Sequence, residues 1–388
     1  MKKKIAILGS TGSIGKTLIN IIKQDKKNFE IVLLSADENY KELLKQAKFF
    51  KVKNLIITNE QSYIKLKKNR YTKNIQVFKN FDNFNKIFKQ KIDYTMSAIT
   101  GIEGLKPTID IIKYSKKIAI ANKESIICGW NLIEKKLKKH KTKFVPVDSE
   151  HFSIWYALRD VDKSLVDKIY ITASGGPFLN TQLNKLKKAN INQAIKHPNW
   201  KMGKKISIDS ATMMNKVFEI IEAKKIFNLS YNKISILIHP KSYVHAIVKF
   251  KNGLTKLVVH DTNMKIPIAN SLYASSKIIN SKSINLKILN NLDFRVIDNN
   301  RFPVAKILKI LSKKTSLFEN VLVSTNDKLV ELFLNKKIKF TDIQKILFKV
   351  INYREFKKLK LKKPKNIKEI NNLNKIVNSK INKIVYKL

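Results

Sequence analysis

The stretch Asp209-Ser210-Ala211-Thr212-Met213-Met214-Asn215-Lys216-Val217-Phe218-Glu219 sets hydroxyl, amide, ammonium and carboxylate groups along what reads as the start of one helix. Asn215 and Glu219 stand four apart and Lys216 and Glu219 three apart, so all three can project from one side. Such a side suits a phosphate or a cation. A capped helix, with Asp209 or Ser210 as N-cap and a surface Lys216/Glu219 pair, would use the same residues. A second segment, Val147-Asp148-Ser149-Glu150-His151, reads as the end of a strand, whose period of two aims Asp148 and Glu150 to one side. With Glu219 they form an all-oxygen set suited to a hard divalent ion such as Mg²⁺ or Mn²⁺. In Ser174-Gly175-Gly176-Pro177, after a predicted strand Lys168 to Ala173, small residues let a ligand approach the main chain and Ser174 can donate to a phosphate; a plain turn is the alternative. His197-Pro198-Asn199-Trp200-Lys201-Met202-Gly203 mixes an imidazole and an indole in a loop, which suits a lid over substrate or a Trp anchor to the core.

At the other end of the chain, Gly9-Ser10-Thr11-Gly12-Ser13-Ile14-Gly15 follows an apolar strand and opens a helical stretch. There a glycine-rich turn can set main-chain N–H groups against a pyrophosphate, although Ser10 or Thr11 could instead cap the helix. The second strand ends in Ser35-Ala36-Asp37-Glu38-Asn39, where an acidic side chain binds a ribose 2′-hydroxyl and repels a 2′-phosphate. Taken physically, Asp37 and Glu38 favour NADH, unless both point to solvent.

The elements that must position these groups change along the chain. Short β-rich runs (Lys3 to Leu8, Phe29 to Ser35, Leu55 to Thr58, Tyr94 to Ile99, Lys117 to Ala121) alternate with helical stretches, the pattern of a parallel sheet covered on both faces. Lys168 to Ala173, Ile234 to Ile238, Tyr243 to Phe250 and Leu254 to His260 then read as strands, with a hairpin turn at Lys251-Asn252-Gly253. Val304 to Leu311, Leu317 to Leu334, Asp342 to Val350 and the tail after Pro364 carry helical spacing. The expected architecture is α/β: an N-terminal Rossmann-like dinucleotide-binding domain over 1–147, a central α+β catalytic and dimerisation domain over 148–275, a linker over 276–300 and a C-terminal α-helical domain over 301–388.

The chain has 388 residues and a formal charge of +49, a balance that ordinarily suggests nucleic acid. Only five of the 78 basic residues are Arg, and the Lys are scattered, so the expectation is no nucleic-acid partner but a field that attracts anionic substrates. No apolar run approaches the ~18 residues of a membrane span. The apolar segment after Met1 reads as too short for a secretory signal, and a single cysteine, Cys128, excludes intrachain disulfides; a cytoplasmic protein without membrane contact is expected. A semialdehyde-type dehydrogenase would need a nucleophilic thiol in the second domain, and Cys128 falls within the span expected for the first.

Together, in this order, these segments and Ala121-Asn122-Lys123-Glu124-Ser125 resemble the 1-deoxy-D-xylulose 5-phosphate reductoisomerases, from Gly9 to about Ile268. The resemblance implies a homodimer that uses NADPH and a divalent cation, Mg²⁺ or Mn²⁺, to convert 1-deoxy-D-xylulose 5-phosphate to 2-C-methyl-D-erythritol 4-phosphate by rearrangement and hydride reduction of the resulting aldehyde. It assigns the metal to Asp148, Glu150 and Glu219, with Glu150 also moving protons and Lys123 near nicotinamide and substrate. It gives substrate contacts to Ser149, Ser174, His197, Ser210, Asn215 and Lys216. Cofactor contacts fall on Ser10, Thr11, Gly12, Ser13, Ile14, Asn39, Asn122, Lys123, Glu124 and Gly203. The chain departs from the family at Asp37-Glu38-Asn39, where a Gly-Lys-Asn type sequence is usual, at Glu103, where small residues are usual, and at Val259 to Lys265, which replaces a Gly-x-Pro-Asp-Met-Arg pattern.

Overall fold

The structure, a computed structural model, describes residues 1–273, 279, 281 and 283–386. Its contacts divide the chain into two compact units. The first comprises Met1–Ser125, Leu132–Asp148 and Met264–Ile279, and the second comprises Ile126–Asn131, Ser149–Asn263 and Asn280–Leu388.

A seven-stranded parallel sheet forms the first unit, in the order β4-β3-β2-β1-β5-β6-β7. Its strands are β1 (Lys3–Leu8), β2 (Phe29–Ala36), β3 (Asn54–Ile57), β4 (Gln76–Phe78), β5 (Tyr94–Ser97), β6 (Lys117–Ile120) and β7 (Lys143–Pro146). Ile5 to Leu8 are wholly buried, which is why the central strand reads as a continuous apolar run rather than an alternation. Strand order reverses between β1 and β5, so the Gly9–Gly15 turn leaves β1 at the switch point where α/β sheets bind ligands. The helix Lys265–Tyr273 packs on the helix Ser13–Lys23, with Tyr94 and Ser271 hydroxyls 2.7 Å apart and the Tyr273 hydroxyl donating to Asp25 at 2.8 Å.

A mixed five-stranded sheet, β11-β10-β8-β9-β12, is the centre of the second unit. Its strands are β8 (Val166–Ala173), β9 (Ile234–Ile238), β10 (Val244–Phe250), β11 (Thr255–Val259) and β12 (Arg295–Val296). Gly253 makes the expected β10–β11 hairpin, at φ +88°. Helices Leu317–Leu334, Phe340–Ile351 and Ile367–Val385 complete the unit. A buried ion pair between Lys225 and Glu319 joins the helix Met214–Phe227 to Leu317–Leu334, and the Tyr231 hydroxyl also donates to Glu319. Both charges are out of water, so losing either partner would strand the other.

Several expectations need correction. Asp209–Glu219 is not the start of one helix: Lys204–Ala211 ends, Met213 turns to φ +69°, and Met214–Phe227 begins. Burial of Met213 and Met214 holds this corner without the glycine that would have announced it. Asp209 is therefore no N-cap; its carboxylate accepts from Asn326 at 2.7 Å and pairs with Lys205 at 3.2 Å. The strand expected to run into Val147–His151 stops at Pro146, and Ser149–Ala157 is helical. Strand alternation thus cannot be what orients Asp148 and Glu150. Glu150 instead sits in a first helical turn, where unpaired N–H groups favour a carboxylate. Val304–Leu311 proves to be a 3₁₀ helix over Pro303–Ile310, opened by a proline. The two short strands β4 and β12 had no clear signal in the sequence. Of the expected linker, residues 276–278, 280 and 282 lie outside the described residues.

Candidate functional site

The carboxylates of Asp148, Glu150 and Glu219 lie within 4.8 Å of one another, a spacing that can hold one metal ion. Glu150 and Glu219 are buried, and the Lys216 ammonium stands between them, 2.6 Å from each. Burial lowers the Lys216 pKa, but the charges of Glu150 and Glu219 and the hydrogen bonds to them more than offset this, so the ammonium persists above its ordinary range. Two buried carboxylates that share a cation mark a place where positive charge is required. The helical spacing read from the sequence supplies the rest: Asn215 Nδ2 donates to Glu219 at 2.5 Å. Ser149 donates its hydroxyl to Glu150, and Lys123 pairs with Asp148.

Ser174, Gly175 and Gly176 leave β8 in a turn whose glycines take φ of +86° and +70°. A Cβ on Gly176 would stand 2.9 Å from the Ser210 carbonyl oxygen, so this turn lies directly against the end of the Lys204–Ala211 helix. The Ser174 and Ser210 segments, 36 positions apart, are thereby brought together.

His197 completes this side. Its Nδ1 accepts from the N–H groups of Asn199 at 3.2 Å and Trp200 at 3.0 Å, which leaves the neutral ring's proton on Nε2, facing Ser174 Oγ at 2.9 Å. Burial, helped by the Lys216 charge, lowers the His197 pKa to about 4. Because the folded value lies below the free value of 6.5, His197 favours folding above that pH, and this contribution fades as pH falls toward 4. Imidazole NMR should therefore show an Nε2-protonated neutral ring that titrates near pH 4; a midpoint near 6.5 would contradict the geometry.

Sequence reasoning missed what anchors this loop. Asn199 Nδ2 donates to the Pro240 carbonyl at 2.6 Å and to Ser242 Oγ at 2.8 Å, while the Trp200 ring meets His245 edge-on at 5.9 Å. The signal in the sequence was a buried-strand His, His245, between Val244 and Ala246.

In the Gly9–Gly15 turn, Gly12 is the N-cap of Ser13–Lys23 and no side chain caps that helix, so its first N–H groups remain for an anion. Gly15 has no room for a side chain: a Cβ would lie 2.3 Å from the Gly9 carbonyl oxygen. The Ser10 N–H donates to the Ser35 carbonyl at 2.8 Å and the Ser10 carbonyl accepts from the Gln46 side-chain amide at 3.1 Å, while Thr11, Ser13 and Ile14 are at least partly accessible. The other expected cofactor residues are engaged locally. Asn39 caps Tyr40–Phe50, and Asn122 caps Lys123–Lys139 while donating to the Ile99 and Gly101 carbonyls. Glu124 lies buried in the first turn of Lys123–Lys139, and Gly203 is the exposed N-cap of Lys204–Ala211. Asp37 accepts from Thr58 Oγ1 at 2.6 Å, and both Asp37 and Glu38 are exposed.

Comparison with known proteins decides the family. Sequence models described as 1-deoxy-D-xylulose 5-phosphate reductoisomerase match residues 5–129, its C-terminal domain matches 144–227, and a DXP reductoisomerase C-terminal domain matches 260–380. The chain is 63% identical over 382 residues to 1-deoxy-D-xylulose 5-phosphate reductoisomerase of Pelagibacter ubique (strain HTCC1062), covering 98% of each. The chain belongs to the 1-deoxy-D-xylulose 5-phosphate reductoisomerase family. A Wolbachia member (subsp. Drosophila simulans, strain wRi) is 39% identical over 89% of both chains. Among solved structures, the Zymomonas mobilis reductoisomerase in complex with NADPH matches with a TM-score of 0.88, 30% identity and full coverage of both chains. A reductoisomerase in complex with NADPH, fosmidomycin and magnesium matches with a TM-score of 0.90 and 30% identity, covering 99% of this chain and 98% of that one. The family's fold thus extends through the C-terminal helices, where the sequence alone matched only in outline.

Proposed function

We propose that this reductoisomerase converts 1-deoxy-D-xylulose 5-phosphate to 2-C-methyl-D-erythritol 4-phosphate with NADPH and Mg²⁺ or Mn²⁺, and that the sharing of one ammonium between Glu150 and Glu219 is the observation that carries this reading. A divalent ion held by Asp148, Glu150 and Glu219 supplies Lewis acidity toward the substrate's oxygens, and NADPH supplies hydride. Ser174, Ser210, Asn215 and Lys216 bind the phosphate group. Ser149 meets a substrate hydroxyl, and Glu150, bonded to that serine, moves a proton. Lys123 orients Asp148. His197, neutral and donating through Nε2, steadies the Ser174 turn while Trp200 excludes water from the reacting carbonyl. Main-chain N–H groups at Gly12 to Ile14 take the pyrophosphate, with Ser10, Thr11, Asn39, Asn122, Glu124 and Gly203 as further cofactor contacts. Segments 1–147, 148–275 and 301–388 serve as cofactor, catalytic and helical domains. Purified protein supplied with the deoxyxylulose phosphate, NADPH and Mg²⁺ should oxidise the cofactor; no oxidation with any divalent ion rejects the reading.

Exposed carboxylates at the end of β2 oppose a 2′-phosphate. Asp37→Gly combined with Glu38→Lys should raise the NADPH-to-NADH ratio of kcat/KM by about tenfold, equivalent to ~1.4 kcal/mol of removed repulsion. An unchanged ratio would put both side chains away from the ribose.

The working form is a homodimer, and a cytoplasmic location suits its single buried thiol. Edge strand β11 exposes Leu257 (43%) and Val259 (39%) on one face, beside Leu254 (63%), and a second copy is the occupant that closes an apolar edge on itself. Leu257→Lys should therefore yield monomers by sedimentation velocity; a dimer of undiminished stability would exclude this edge. Among the described residues no helix is long and apolar enough to cross a membrane.

A further inference from the structure

β10 carries an irregularity between Val244 and Ala246: Val244 pairs with Val259 and Ala246 with Val258, leaving His245 as the extra residue. Such bulges re-aim a side chain. Here His245 turns onto His260, the residue directly after β11, with ring centroids 3.7 Å apart and planes 18° from parallel. His245 Nε2 donates to the His260 carbonyl at 3.1 Å, and His260 Nδ1 donates to the Asp261 carbonyl at 2.8 Å, so main-chain acceptors fix the tautomer and orientation of both rings. Burial lowers the His260 pKa, while the carbonyl and charge of Asp261 and main-chain contact with Ser149 oppose the fall. On its remaining edge His260 meets Phe152 of the Ser149–Ala157 helix, at 6.3 Å between centroids.

The stack lies in a continuous line of contacts. Ser174 bonds to His197, His197 accepts the Trp200 N–H, the Trp200 ring rests edge-on against His245, and His245 lies flat on His260. We propose that His260 is a positioning residue: by stacking on His245 it builds the seat of Trp200 and fixes where the His197–Gly203 loop rests beside the phosphate-binding turn. Without the second ring His245 loses a flat face of contact, and the Trp200 seat becomes mobile. The loop then has to be ordered at substrate binding, which weakens binding more than it slows the chemistry.

The inference rests on the proposed reaction for its kinetic test only. His260→Gly should raise KM for the deoxyxylulose phosphate by about fivefold with kcat changed by less than about twofold, the signature of lost binding common to ground and transition states. His260→Phe, which keeps a flat ring, should recover a KM near the wild-type value, whereas His260→Asn should behave as the glycine variant. Acrylamide quenching of the Trp200 signal, isolated by difference against Trp200→Phe, should rise in His260→Gly without substrate. Should His260→Gly fail to fold, the comparison of His260→Phe with His260→Asn decides alone. Unchanged KM and quenching in the glycine variant, or a KM raised equally in the phenylalanine variant, would overturn the proposal. If wild-type protein shows no turnover, the reaction assigned above fails, and the quenching still decides the role of His260.

Discussion

Glu219→Gln should lower kcat by on the order of 10³-fold with the protein still folded, a loss comparable to removing a principal charge-stabilising group from an active site. The side chain is 1% exposed and faces both Asn215 and Lys216. Glutamine preserves shape and can still accept from Asn215, and Lys216 keeps its Glu150 partner, so the substitution removes charge more than packing. One negative charge fewer leaves a divalent ion with two carboxylates, and excess Mg²⁺ should restore part of the rate. Steady-state kinetics alongside a thermal melt separates this from unfolding. A kcat near that of the wild type would remove Glu219 from the site.

The second large effect is steric. Gly176→Ala asks an L-residue to hold φ +70° and drives a Cβ to 2.9 Å from the Ser210 carbonyl oxygen and 3.0 Å from the Ala211 Cα. Those neighbours are main chain and cannot rotate away. Strain at a left-handed position together with displacement of the Lys204–Ala211 helix end should cost about 3 kcal/mol. Moving the Ser174 turn off Ser210 should lower kcat/KM by about 10²-fold, as misplacement on the ångström scale does. Gly253→Ala is the matched control: its φ is +88°, nothing lies within 4 Å of the added carbon, and only the conformational strain of about 1 kcal/mol remains. Equal effects at the two glycines would mean that the approach to Ser210 carries no energetic weight.

The legible parts of this chain were those written in local periodicity. Apolar runs gave five of the seven parallel strands, β1, β2, β3, β5 and β6, to within a residue or two, because a strand buried on both faces has little choice of side chain. The three-and-four spacing of Asn215, Lys216 and Glu219 survived because Met214–Phe227 is a regular helix. What failed depended on tertiary context. Met213 takes a left-handed conformation that sequence assigns to glycine or asparagine, and its burial supports it there. Pro146 ends β7 just where alternation was assumed to continue, so Asp148 and Glu150 came together by a strand-to-helix transition and not by the pleat. The His245–His260 stack needed a bulge whose extra residue is invisible until the two strands are in register. Asp37 and Glu38 remained in view from sequence to structure, since exposed loop carboxylates report chemistry without packing.

The claim that Asp148, Glu150 and Glu219 hold a single cation is tested most directly by titrating the purified protein with Mn²⁺ and following free ion by electron paramagnetic resonance. One saturable site per chain is expected, displaced by Mg²⁺ and severely weakened in Glu219→Gln. Binding of equal strength in that variant, or no bound Mn²⁺ in the parent protein, would contradict it.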